Sequence, residues 1–95
     1  MTDDITLKSL SLSELAKMIR KDWTRIDSHA LPFLEAMEQL KDIADNYKDS
    51  SGQMIIAYFL STAVSWTGNL SVCIKKELKR RMDENKEKVS IQKNA

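Results

Sequence analysis

A chain of 95 residues with one cysteine, one histidine, one proline and two glycines lacks the material for several chemistries. Cys73 cannot close an internal disulfide by itself. As a lone thiol in an apolar stretch it reads as a small core residue, in keeping with a reducing cytoplasm. His29 stands at a helix start, where an exposed first-turn role is expected of it rather than catalysis. There is no Cys/His cluster for zinc, no glycine-rich phosphate loop and no Asp-rich calcium loop, so neither a metal nor any other cofactor is expected. Nucleophilic and acid–base catalysis need a convergent nucleophile, base and orienting group, and no such set stands out, so the chain is not expected to be an enzyme.

Charge of one sign is also missing. Fifteen Lys and Arg against fourteen Asp and Glu leave a formal net charge of +1, which points to no class of partner. No apolar run reaches the ~20 residues a bilayer requires. The longest, residues 54–66, is interrupted by Tyr58, Ser61, Thr62 and Ser65, so no membrane span is expected. Residues 1–9 carry Asp3 and Asp4 and neither a basic segment nor a long apolar one, so no secretory signal is read there and a cytoplasmic location is expected.

Scarce glycine and proline, with no alternating apolar and polar run, predict an all-α fold. About four helices form a compact bundle around a central apolar helix over about 53–67. One domain over 1–85 is expected, with a disordered polar tail over 86–95. A chain of this length buries roughly two-thirds of its unfolded surface, enough to fold without metal or disulfide staples.

The first helix opens at Ser11-Leu12-Ser13-Glu14, a capping-box pattern, with Leu10 and Leu15 placed as a hydrophobic staple. Leu12, Leu15, Ile19, Trp23 and Ile26 then recur at helical spacing. Asp27-Ser28 breaks the chain and caps a second helix, with Pro32 in its first turn, that runs to about Asn46. Its inner face would hold Phe33, Met37, Leu40, Ala44 and Tyr47. Asp49-Ser50-Ser51-Gly52 is a turn and cap for the third helix, which runs to Trp66 or Thr67 and stops at Gly68-Asn69. That helix is apolar on nearly every side and should be covered on all of them, by the rest of the chain, by a second copy or by a foreign partner. Leu70, Ile74, Leu78 and Met82 mark the inner side of a fourth helix, fraying among Glu84, Asn85 and Lys86. Trp23 and Trp66 read as core anchors, the alternative being exposed residues that mark an interface.

Two charged stripes are the candidate surfaces. On a second helix reaching Asn46, Glu35, Glu38, Asp42 and Asp45 project within an arc of about 80°. Such a stripe is either an ordinary solvated side or an anionic surface for the basic groove of another protein, where carboxylates at helical spacing imitate phosphates. On the fourth helix Lys75, Lys76, Lys79 and Arg80 form a basic patch able to grip a nucleic-acid backbone, diluted by Glu77, Asp83, Glu84 and Glu87 and without an interleaved aromatic for base stacking. A homodimer burying part of the third helix is a third use of so much apolar surface.

The segments Asp22-Trp23, Pro32-Phe33-Leu34-Glu35-Ala36-Met37, Asp49-Ser50-Ser51-Gly52, Tyr58-Phe59-Leu60-Ser61, Trp66-Thr67-Gly68 and Ile74-Lys75-Lys76-Glu77-Leu78-Lys79 resemble a group of small uncharacterised bacterial and phage proteins. The likeness covers about residues 22–81 and is carried by packing and capping motifs, which speak for a fold more than for an activity. In that group an Arg commonly follows the tryptophan, where this chain has Thr67, so a role resting on that charge does not carry over. The resemblance implies a phage or prophage accessory protein, a class in which small non-enzymatic binders of host machinery, including inhibitors of host defence systems, are frequent. The expected partner is thus a host protein, with a nucleic-acid-handling protein the natural target of the acidic stripe and nucleic acid itself the alternative target of the basic patch.

Overall fold

Four helices and a two-strand ladder follow one another among the described residues of the computed structural model, which are 7–48 and 50–94, without the side chains of 87–94. The helices are α1 (Leu12–Asp22), α2 (Leu31–Met37), α3 (Gly52–Thr62) and α4 (Asn69–Asn94), and the strands β1 (Asn46–Tyr47) and β2 (Ser50–Ser51) stand between α2 and α3. The fold is mostly helical. The antiparallel ladder, Asn46 opposite Ser51 and Tyr47 opposite Ser50, corrects the all-α expectation. Its tight turn includes Lys48, whose φ of 57° is left-handed.

α1 starts where the capping box places it. The Ser11 hydroxyl accepts the Glu14 N–H, and the Ser11 N–H donates to the Glu14 carboxylate at 2.8 Å. These bonds from the Ser11 backbone and hydroxyl hold the Glu14 carboxyl below its ordinary value. Leu12, Leu15 and Ile19 are fully buried, and Trp23 lies at the C-cap.

α2 is shorter than its sequence suggests, ending at Met37 instead of near Asn46. The reason is competition for backbone hydrogen bonds. Gln39 and Leu40 donate three residues back, to Ala36 and Met37, which tightens the last turn. Beyond it the Asp45 carboxylate accepts the N–H groups of Lys41 and Asp42, the Asp42 carboxylate accepts that of Ala44, and the Lys41 carbonyl accepts from Leu12 at the start of α1. Short acidic side chains offer the backbone an alternative to the helix ladder, and here they win. Leu40 and Ile43 are buried from this loop, but Ala44 is exposed, and Leu34 and Ala36 take inner places that the pattern did not assign them.

α3 starts at Gly52 with Ser51 as its cap, the hydroxyl accepting the Met54 N–H; Asp49 of the expected turn lies outside the described residues. The helix ends at Thr62, four residues before Trp66. The Ser61 and Thr62 hydroxyls donate back to the carbonyls of Tyr58 and Phe59, and the Lys75 ammonium takes the Ala63 carbonyl at 2.8 Å. Trp66 therefore belongs to the α3–α4 connection, and Gly68, at φ 108°, stands at the entry to α4, not at the exit of α3.

One continuous core draws on all four helices, with α3 packed on α2 and α4, and α1 on α2 and α4. Its centre is aromatic. Trp23 stacks on Trp66 with centroids 6.0 Å apart, and both meet Phe59 edge-on. With Trp66 only 2% and Trp23 5% exposed, both tryptophans are core anchors. Trp66 also donates its indole N–H to Asp22 at 2.9 Å, and its carbonyl accepts from Ser71 and Lys75.

α4 passes through Glu84, Asn85 and Lys86, where the pattern places its fraying, and its backbone is helical to Asn94. The disordered tail expected over 86–95 falls almost wholly on residues whose side chains, or whose placement, lie outside the described set, as do Asp3 and Asp4. Glu77 on the inner side of α4 holds the guanidinium groups of both Arg80 and Arg81, and Arg81 donates onward to the carbonyls of Leu7 and Leu10 at 2.8 Å. That network ties the N-terminal segment to α4. Burial pushes the Glu77 carboxyl up, but the bonds from Arg80 and Arg81 outweigh it and hold the carboxyl below its ordinary value.

A lowered folded-state value means that the fold favours the ionised carboxylate. The stabilisation is complete above the unfolded value and is lost as pH falls from there through the lowered folded value, here from about pH 5 downward. The urea midpoint is accordingly expected to fall between pH 7 and about pH 3.5. Glu77→Gln should start lower at pH 7 and lose less over the same interval. Equal losses in the two proteins would show that Glu77 does not carry the acid sensitivity.

Candidate interaction surfaces

The two charged stripes fare differently once the helix ends are placed. Only Glu35 of the acidic set lies within α2; Glu38 is its C-cap, and Asp42 and Asp45 are in the following loop, so the four do not share a helical face. Glu38 is engaged by Arg20 through two bonds of 2.7 and 2.9 Å. Asp42 and Asp45 accept backbone N–H groups of their own loop. The single acidic arc is thus corrected, because the carboxylates at 42 and 45 end the helix that would have aligned them.

The basic set divides as well. The Lys75 stem packs inward and its ammonium donates to the carbonyls of Ala63 and Trp66, both at 2.8 Å, while lying 5.7 Å from the Trp66 ring centroid. Burial lowers its affinity for the proton. Arg80 is held by Glu77 and Glu84, and the Glu77 bond raises its already high value further. Lys76 and Lys79 remain exposed. Tertiary structure adds Lys8 and Lys41, which line a polar groove of about 320 Å³ with Arg80 and Arg81, opposed there by Asp42 and Glu84.

The open side of α3 carries a surface that the pattern concealed. Ile55, Ile56, Phe59 and Ala63 are buried, but Met54 is 48% and Tyr58 50% exposed, and Ala57 and Ser61 are exposed beside them. At 100° per residue these four fall within an arc of about 100° opposite the buried side. The central helix is therefore covered on one side only. Phe33 of α2 stacks on Tyr58, with ring centroids 5.3 Å apart and planes at 26°. Beside this pair Pro32, Tyr47 and Lys48 line a cleft of about 220 Å³, and the Lys48 ammonium lies 5.3 Å from the Tyr47 ring centroid.

No family model, characterised protein or solved structure matches this chain.

His29 is exposed, and among the described residues its backbone N–H and its ring bond to Asp27 of the same turn. Cys73 is half-buried against the core as a free thiol. Among the described residues no group of three or more His, Cys, Asp or Glu is placed to hold a metal ion. No helix among them is long and apolar enough to cross a membrane. Sequence patterning counted Tyr58 and Ser61 as interruptions of an apolar run. Their placement on the same side as Met54 and Ala57 was the available signal that this helix has an outer face.

Proposed function

We propose that this chain is a small non-enzymatic protein-binding module whose docking face is the open side of α3. The observation that supports it is the stacked Phe33–Tyr58 pair lying in the surface with Met54 exposed nearby. Exposed aromatic and methionine side chains clustered over a cleft are the usual composition of interface centres, and tyrosine presents a large rigid surface at low entropic cost. The resemblance to small bacterial and phage proteins adds the setting of a phage or prophage accessory protein acting on a host protein in the cytoplasm. Of the acidic residues, Glu35 is exposed on α2, while Glu38, Asp42 and Asp45 have partners within the chain.

The test is site-specific photo-cross-linking in lysate of the native host, with benzoylphenylalanine placed at Tyr58 in one protein and at the exposed Lys17 of α1 in another. A discrete protein adduct from position 58, absent from position 17 and resistant to nuclease, is the expected result. Indistinguishable patterns from the two positions would falsify the assignment of this face.

A further inference from the structure

We propose that the trench between the N-terminal segment, the 41–44 loop and α4 holds the phosphate backbone of a single nucleic-acid strand, at a site separate from the open side of α3. Two clefts make up the trench. The first, of about 320 Å³, has Lys8, Lys41, Arg80 and Arg81 in its walls, with Asp42 and Glu84. The second, of about 260 Å³, is lined by Lys8, Lys76, Glu77 and Arg80 beside Cys73. Because Lys8 and Arg80 line both, the clefts adjoin, with Lys41 in the first alone and Lys76 in the second alone.

Five cations thus stand against three carboxylates, and the carboxylates are already engaged. Glu77 is shared by Arg80 and Arg81, Glu84 accepts from Arg80, and Asp42 accepts the Ala44 N–H. Lys8, Lys41 and Lys76 are exposed, and no carboxylate of the described residues pairs with them. Arg81 is the fixed donor of the set. Its side chain is 13% exposed, its Nε donates to Glu77 and its Nη2 to the carbonyls of Leu7 and Leu10, while Nη1 makes no hydrogen bond among the described residues. A guanidinium already held in place gives up little rotamer freedom when an anion arrives. A lone oxyanion would fill one cleft. Cations spread along two adjoining clefts instead match successive phosphates, which a nucleic-acid strand carries at every step and a peptide offers only in a run of acidic side chains. Clefts of this size admit one backbone and not the width of a duplex. No aromatic side chain lines either of them, so the bases find no stacking platform and binding is indifferent to sequence.

Fluorescence anisotropy of a labelled oligothymidylate with the full chain, repeated over a range of salt concentrations, tests this. The expected Kd lies at about 10⁻⁴ to 10⁻⁶ M, and three lysine–phosphate contacts give a slope of log affinity against log salt of about −2 or steeper. Lys8→Gln, Lys41→Gln and Lys76→Gln, all at exposed positions that leave the core intact, should each flatten that slope by about 0.7, and the triple variant should bind about tenfold or more weakly. Lys79→Gln, exposed on α4 but in neither cleft, should bind as the unaltered chain does. Absence of binding at about 1 mM protein overturns the proposal, as does a loss from Lys79→Gln equal to that from the trench variants. Displacement of the strand by polyglutamate as readily as by unlabelled oligothymidylate would make the site one for acidic peptides, and a duplex bound more tightly than the strand would place the contact outside the trench. None of these outcomes bears on the α3 face, which position 58 reports by its own cross-links.

Discussion

Trp66→Ala is expected to lower the unfolding free energy by about 3–5 kcal/mol. The side chain is 2% exposed and meets both Trp23 and Phe59, so truncation leaves a cavity among rigid rings that have no easy way to collapse. Removing a large aromatic from a core costs its transfer free energy and adds a cavity term, and each aromatic pair contributes about 0.5–1.5 kcal/mol more than its buried area alone. The indole bond to Asp22 is lost as well. Trp66→Phe separates these causes, because it keeps much of the ring volume and removes only the N–H donor and the second ring. Its expected cost is about half that of alanine or less. Domains are stable by only about 5–15 kcal/mol, so the alanine variant should be partly unfolded at moderate temperature. Chemical unfolding followed by circular dichroism measures both without relying on the tryptophan signal. A change under about 1 kcal/mol for Trp66→Ala would mean that the three rings do not form the centre of the core.

Gly52→Ala should destabilise the chain by about 2–3 kcal/mol, although alanine is favoured over glycine inside a helix by about 1 kcal/mol. Gly52 is the first residue of α3, and its N–H donates to the Asp45 carbonyl at 2.8 Å. A Cβ there would run into the Ile43 carbonyl oxygen. The obstacle is backbone, so it cannot rotate away as a flexible side chain would. Relief requires the 41–45 loop to move, which loosens Ile43 in the core and the hairpin that carries Tyr47 and Lys48. Ala57→Gly, at an exposed position of the same helix, is the control and should cost about 1 kcal/mol from propensity alone. In thermal melts the Gly52→Ala midpoint should fall by roughly 10 °C or more, at about 4–8 °C per kcal/mol for a chain of this size. A midpoint unchanged or raised would show that the loop accommodates the methyl group freely. The same variant links fold to function, because a displaced hairpin moves one flank of the proposed docking face.

Several local features were legible because their causes span only a turn of chain. Ser11 and Glu14 are three residues apart and satisfy each other's N–H groups wherever the helix lies. The Leu12, Leu15, Ile19 stripe and the Ile74, Leu78 stripe face inward because a 3.6-residue period places them together. Ser51 and Gly52 announced the start of α3, while the choice between core and interface for the two tryptophans, open in the sequence, falls to the core. Periodicity failed where it was carried past a helix end. The acidic arc required α2 to continue through Asp42 and Asp45, whose own carboxylates capture the backbone there. The basic patch counted Lys75 as a surface charge, yet its long stem reaches carbonyls nine and twelve residues away.

What the sequence determined by itself is therefore the helical character, the caps of α1 and α3 and most of the core, since these follow from interactions between near neighbours. The expected Asp27-Ser28 cap of α2 instead gives way to Ala30, with no side-chain cap bond, because the Asp27 carboxylate is taken by His29. Only the tertiary structure decided which side of α3 stays open, where α2 and α3 stop, and which charges remain available at the surface. Which charges remain available depends on partners farther along the chain, among them Lys75 with the carbonyls of Ala63 and Trp66, and Arg20 with Glu38. The second helix, α2, stops where the Asp42 and Asp45 carboxylates take the backbone N–H groups beside them. A helix that is apolar on nearly every side does not itself state which side its neighbours will cover.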